Sequence, residues 1–104
     1  MNMEPHQVMI CDAIAERLQL HFSYGGHQRT VIPAAYGPHK DTGKPALRGY
    51  QVDGTSSSRQ PPFWSLFTEA EMSELATGEK FDQNPPLYDP NDTHLHVVCC
   101  LAAD

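Results

Sequence analysis

Long apolar runs are missing from this 104-residue chain, and no stretch approaches the roughly 18 consecutive apolar residues that a membrane-spanning helix requires. Met1 to Gln7 has neither the basic nor the apolar region of a secretory leader, so a cytoplasmic protein with no membrane association is expected. Cysteine is scarce and odd in number. Cys11, Cys99 and Cys100 do not make the even, spaced set of a disulfide framework, and they read as reduced and mostly buried. Basic charge is short as well: 7 Lys and Arg face 13 Asp and Glu, a net charge of −6. Nonspecific affinity for nucleic acid comes from neutralising phosphates with Lys and Arg, so a general nucleic-acid coat is excluded and only a local positive patch remains open.

Repeats and heptads are absent, as are the Gly-x-Ser-x-Gly elbow, a Walker-type phosphate loop and any Cys/His nucleophile signature. Asp89, Asp92 and Glu79 fall in polar segments where solvated carboxylates are the default, so neither an enzyme nor a bound cofactor is expected. What the chain does have is enough large apolar surface for one core. It is 39% hydrophobic, with four Phe, four Tyr and one Trp, which fits a single domain over residues 1–104.

Periodicity places the elements. Val8, Cys11, Ile14, Ala15 and Leu18 recur at three- and four-residue intervals, which predicts an amphipathic helix over about residues 5–19 with Pro5 in its first turn. The period then drops to two in Leu20, Phe22 and Tyr24, and Gly25-Gly26 supplies the positive φ angles of a tight hairpin, giving strands over about 20–24 and 28–36. Pro33 cannot donate a ladder hydrogen bond and belongs at an edge or a bulge. Further strands are expected at about 46–52 and 63–67. Thr68-Glu69-Ala70-Glu71 reads as a capping box opening a short helix over about 69–77, stopped by Gly78. After a connector rich in proline, alternation of Leu95, Val97, Cys99 and Leu101 predicts a last strand over about 94–102. The fold class is therefore mainly β with α, an α+β chain. It is expected as a small Sm-like or SH3-like five-stranded antiparallel barrel with an N-terminal helix and a short helix before the last strand.

Three stretches carry a resemblance. Arg29-Thr30-Val31-Ile32-Pro33-Ala34-Ala35-Tyr36-Gly37, then Leu47-Arg48-Gly49-Tyr50-Gln51-Val52-Asp53-Gly54-Thr55-Ser56, then Trp64-Ser65-Leu66-Phe67, taken in order, resemble short free-standing members of the WYL domain family. The match spans about Ile10 to Val98. The resemblance implies an Sm-like barrel that senses a nucleic-acid or nucleotide effector, as such modules do beside helix-turn-helix regions in transcription regulators. Carried over by position, the ligand face is Tyr24, Arg29, Arg48, Tyr50, Gln51, Ser56 and Trp64. The chain departs from the pattern at Ile32 and Ala34, where an acidic residue and a His are common, and at Ser65, where a basic residue is common.

On this reading Arg29 and Arg48 clamp a phosphate of a nucleotide, an oligonucleotide or a similar anion. Tyr24, Tyr50 or Trp64 stacks a base, and Gln51 and Ser56 add hydrogen bonds. The competing expectation is a protein partner or a homo-oligomer built by pairing strand edges, with no small ligand. His94 and His96 share one face of the expected last strand with Cys100, but a fourth ligand is lacking, so a polar strand face rather than a metal site is expected. Only Cys100, if outward, has the exposure that thiol chemistry requires.

Overall fold

The computed structural model describes residues 5–102. Part of the leader reading, Met1 to Glu4, lies outside them. Helix α1, Pro5–Glu16, leads into β1, Leu18–Tyr24, and β2, His27–Pro38, joined by the hairpin turn in which Gly25 and Gly26 take φ of 60° and 79°. Strands β3, Pro45–Gly54, and β4, Phe63–Thr68, follow. A 3₁₀ turn over Glu69–Glu71 then passes into β5, Met72–Lys80, and the two-residue β6, Cys99–Cys100, ends the set.

The strands form one antiparallel sheet in the order β4-β3-β2-β1-β5, with β6 added beside β2. Pro33 sits where β2 shifts register against β3, between Pro33 and Ala35, so the bulge absorbs its missing donor. On its other side β2 leaves β1 after Val31 and takes up β6 at Ala35, so one long strand serves two shorter ones.

The expected five-stranded barrel is not formed. The outer strands β4 and β5 do not pair with each other, so the sheet is open and keeps two edges. It still bends toward its core face: the Tyr24 ring on β1 meets Phe67 on β4 at 5.2 Å, and the Thr68 N–H donates to the Tyr24 hydroxyl at 3.1 Å. Those strands are separated by two others, a gap that a flat sheet with strands about 4.8 Å apart would hold open.

The helix expected over 69–77 is also replaced. Thr68 makes no side-chain cap, and only Glu69–Glu71 turn before the chain extends as β5. The reason is tertiary: β1 needs a partner on its free side, and β5 supplies it from Lys80 opposite Leu18 to Met72 opposite Tyr24. A β-bulge with Glu74 at φ 57° adjusts the register. Gly78 does not stop a helix; it leaves room for the His21 imidazole, which a Cβ would meet at 2.2 Å. The last strand, expected over nine residues, shrinks to two, helped by a bridge between Leu95 and His39.

The inward face of the helix overlaps only partly with the one its spacing predicts, and the helix ends at Glu16, leaving Leu18 to begin β1. Ile10, Ala13 and Ile14 are buried, Cys11 is half-buried, and Val8 and Ala15 face solvent. Ile10 and Ile14 pack with Leu20, Phe22, Val31, Tyr36, Leu47 and Phe67, each side chain contributing about 1.5–3 kcal/mol by leaving water. Phe22, Tyr24 and Phe67 meet edge to face.

The reduced-cysteine reading is overturned for two of the three thiols. Cys11 on α1 and Cys99 on β6 form a disulfide across 88 residues of sequence, and Cys100 is the exposed free cysteine. Sequence spacing gave no sign of it because the partners meet only when α1 packs against β6. In the chain-entropy account a loop of that length stabilises the fold by about 4–5 kcal/mol.

Candidate functional site

Alternation on β3 sends Arg48 and Tyr50 to one face of the sheet. On β4, Trp64 stands opposite Tyr50 and Leu66 opposite Arg48, and the Tyr50 and Trp64 rings lie 5.2 Å apart. The segment from Asn84 to Val98 has almost no regular structure and is laid across this face. Three prolines explain why it forms neither helix nor ladder. It is fastened by polar contacts: the Trp64 indole N–H donates to the Pro86 carbonyl at 2.9 Å, and the Lys40 N–H donates to the His94 carbonyl at 2.9 Å. The His96 N–H donates to the Pro38 carbonyl at 2.8 Å. Beneath it Leu95 is buried with Ala35 and Ala46.

Between strap and sheet lies an open groove of about 250 Å³, bounded by Arg48, Trp64, Leu87, Asp89, Asp92 and His94. Its polar wall is ordered from the backbone outward. Asp92 folds back in an Asx turn, Oδ1 accepting the His94 N–H at 2.9 Å, while Oδ2 accepts from Arg48 Nε at 2.8 Å. Arg48 Nη2 donates to His94 Nδ1 at 3.2 Å, which makes that nitrogen the acceptor and leaves the Nε2 proton on the exposed edge of the ring. Only 5% of the Asp92 side chain is exposed. Burial alone would raise its carboxyl, but the hydrogen bonds from Arg48 and the His94 backbone, together with the charge of Arg48, hold it below the usual carboxylate range. Leu87, 92% exposed, forms an apolar lip.

The seven residues expected on one ligand face fall into three places. Arg48 and Trp64 line the groove, and Tyr50 stands behind them against the Trp64 ring. Tyr24, Arg29 and Gln51 form a separate cluster turned to internal work. Arg29 donates to the Tyr24 carbonyl from Nε and Nη2 at 3.2 and 3.1 Å and to Gln51 Oε1 at 3.1 Å, and its guanidinium lies over the Tyr24 and Phe67 rings. Gln51, fully buried, passes the network on to the Asp53 and Thr55 carbonyls. Burial pulls the Arg29 guanidinium below its usual pKa, with Tyr24 opposing and Arg59 adding to the effect. Ser56 stands apart in the loop after β3, its hydroxyl accepting from the Ser58 N–H.

Arg29 and Arg48 therefore do not clamp one phosphate. Arg29 is opposite Gly54 and Arg48 opposite Ala35, so the two lie six positions apart along β3, about 20 Å at 3.3 Å per residue. Arg48 is neutralised by Asp92, and Asp89 adds a negative charge to the same groove. At the groove, among the described residues, Arg48 therefore leaves no net positive surface.

Asp92 and His94 were not among the expected site residues: in sequence they read as a solvated loop carboxylate and one of a pair of strand histidines. The string Asp89-Pro90-Asn91-Asp92 does announce turns, and the Asn91 N–H donates to Asp89 Oδ1 at 2.9 Å, but nothing in it says which arginine lies beneath. Among the described residues no group of three or more His, Cys, Asp or Glu is placed to hold a metal ion. With β6 so short, His94 and His96 share no strand face. No helix among them is long and apolar enough to cross a membrane.

No protein-family model, no curated protein and no solved structure matches this chain. The resemblance to WYL domains does not hold: no family model matches, and the sheet lacks the closure those domains show. The role in transcription regulation and nucleic-acid binding that it implied has no support from that resemblance.

Proposed function

We propose that this protein is a small-ligand binding module, without catalytic chemistry of its own, whose site is the groove between Trp64 and the Arg48–Asp92–His94 wall. One observation carries the reading: side chains from three segments, β3, β4 and the strap, converge on one open cavity beside an aromatic face. A half-exposed indole offers a stacking surface for a planar ring. The wall beside it presents carboxylate acceptors and the guanidinium and imidazole donors left over from their mutual bonds. The groove's charge is not positive, so the ligand class it fits is an uncharged planar heterocycle of the nucleoside kind rather than a phosphorylated one.

The test is a thermal-unfolding and Trp64-quenching series on untagged protein with the common nucleosides and, in parallel, their 5′-monophosphates. Trp64 is the single tryptophan, so quenching reports on the groove directly. Binding to the folded state raises the Tm by mass action. A nucleoside response that is weaker for the phosphates and lost in Trp64→Leu supports the reading. A flat response across both sets sinks it.

A second reading, assembly without a small ligand, has its own observation. Strand β4, Phe63–Thr68, carries no charged side chain, and its outer side has no partner strand among the described residues. Edges of that kind invite pairing with another chain. Light scattering behind size exclusion that gives a fixed oligomer, together with no nucleoside response, would move the function there.

A further inference from the structure

We propose that the Cys11–Cys99 disulfide is a redox latch that holds the strap, and with it half of the groove, against the sheet. The inference deepens the groove reading by naming its regulation. It rests on that reading only for the effect on ligand, because the movement of the strap is observable without one.

The placement of the bond carries the proposal. The strap contributes Leu87, Asp89, Asp92 and His94 to the groove, and its downstream end is β6. That strand is held to β2 by only two residue pairs, Ala35 with Cys100 and Tyr36 with Cys99. Flanking bonds are single: the Val98 N–H to the Tyr36 carbonyl, the Leu101 N–H to the Ala34 carbonyl, the Tyr88 hydroxyl to the Leu101 carbonyl, and the Asn84 side-chain amide to the Ala102 carbonyl. So short a ladder is marginal alone. Leu101, the next residue, is buried in the main core, and the covalent tie from Cys99 to α1, whose Ile10 and Ile14 lie in the same core, adds the one covalent cross-link between β6 and the body. Strands β1 to β5 are held by ladders of five to nine registered pairs and do not depend on it.

Both latch sulfurs belong to half-buried residues rather than core ones, and the neighbouring Cys100 is exposed, so small thiols have a route to the bond. With a dithiol as reductant, its thiolate attacks one latch sulfur and the Cys11–Cys99 bond breaks. A mixed disulfide forms, and the departing cysteine takes up a proton. The second thiol of the reductant then closes on the mixed disulfide, freeing the other cysteine; two electrons pass to the protein, and the dithiol leaves as a cyclic disulfide.

Trp64 reports the outcome, since its indole donates to Pro86 at the strap's upstream end. The experiment follows Trp64 emission and amide hydrogen exchange on the full chain, prepared without reductant and then treated with excess dithiothreitol, after titration of its free thiols. The expected result is one free thiol before reduction and three after, a red-shifted Trp64 emission, and faster exchange confined to residues 86–101 while β1 to β5 stay protected. Cys11→Ser should show the opened state without reductant, and Cys100→Ser should respond like the wild type. For a nucleoside that binds the oxidised form, reduction that leaves the strap closed in about one molecule in ten weakens apparent affinity about tenfold.

Three outcomes overturn the proposal: three free thiols in the unreduced protein, unchanged emission and exchange after three thiols have been counted, or loss of protection across the whole sheet, which would make the bond a general staple. A strap that opens on reduction in a protein that binds no nucleoside would sink the groove reading and leave the latch standing.

Discussion

Arg48 and Asp92, 44 residues apart in sequence, are joined by a 2.8 Å hydrogen bond that fixes the strap to the middle of β3. The arginine side chain is 24% exposed and the aspartate 5%, so the pair is desolvated on the aspartate side. Removing one partner therefore leaves a near-buried carboxylate without its cation. Arg48→Ala is expected to cost about 2–3 kcal/mol, a fall in Tm of about 10 °C or more for a chain of this size. Calorimetry of Arg48→Ala, Asp92→Asn and the double variant checks it; the double variant should be less destabilised than the sum of the singles.

Acid should find the same pair. Asp92 is held below the usual carboxylate range in the folded protein, so near and below the ordinary value of about 3.9 the unfolded chain binds a proton that the folded one does not. Stability from this group is therefore complete above the ordinary value and disappears as the pH falls through the lower, folded one. Urea midpoints followed downward from about pH 6 should drop more steeply in the wild type than in Asp92→Asn. Parallel curves would show that Asp92 ionises alike in both states.

Arg29 has a structural role. Its three donated bonds end on the Tyr24 carbonyl and on Gln51, which is fully buried. Arg29→Ala strands that amide oxygen and should lower stability by about 2–3 kcal/mol while leaving any nucleoside response of the groove unchanged. Denaturant unfolding beside the Trp64 titration separates the two effects.

Gly37 tests how closely the strap lies on β2. A Cβ there would fall 2.0 Å from the His96 carbonyl oxygen, a backbone atom with no freedom to turn aside. Gly37→Ala should push the strap outward, costing about 1–3 kcal/mol and shifting Trp64 emission to the red. An unchanged spectrum and Tm would mean that the strap already stands off the strand.

Trp64 itself should matter more to the groove than to the fold. It is half-buried at the edge of the core, and its indole makes one bond to the strap. Trp64→Phe keeps an aromatic face and loses about 1 kcal/mol with that bond, whereas Trp64→Leu should abolish ligand stabilisation as well. Thermal shifts of the two variants with the same nucleoside distinguish stacking from simple apolar contact.

Much of the fold was legible from the chain because local rules decided it. Leu20, Phe22 and Tyr24 alternate, Gly25-Gly26 must turn, and Pro33 must interrupt a ladder; the first four strands stand within a few residues of those signals. Local rules failed where a partner decided the conformation. Thr68 to Glu71 has the composition of a helix start, yet the free side of β1 draws the following residues into β5. The site was half legible: Arg48, Tyr50 and Trp64 sit on strands whose period two puts them together, while Asp92 and His94 come from an irregular segment whose path no periodicity encodes.

The sequence by itself determined the class of the protein, an α+β chain with an N-terminal helix, antiparallel strands and an acidic charge balance, because pattern, turn chemistry and composition act over a few residues. Only the tertiary structure decided that the sheet stays open, that Arg48 is neutralised by Asp92, and that Cys11 reaches Cys99. The last two depend on residues more than forty positions apart meeting in space, and the open sheet on β5 pairing with the distant β1 rather than with its sequence neighbour β4; the free energy behind them is the burial of a shared core rather than any local preference.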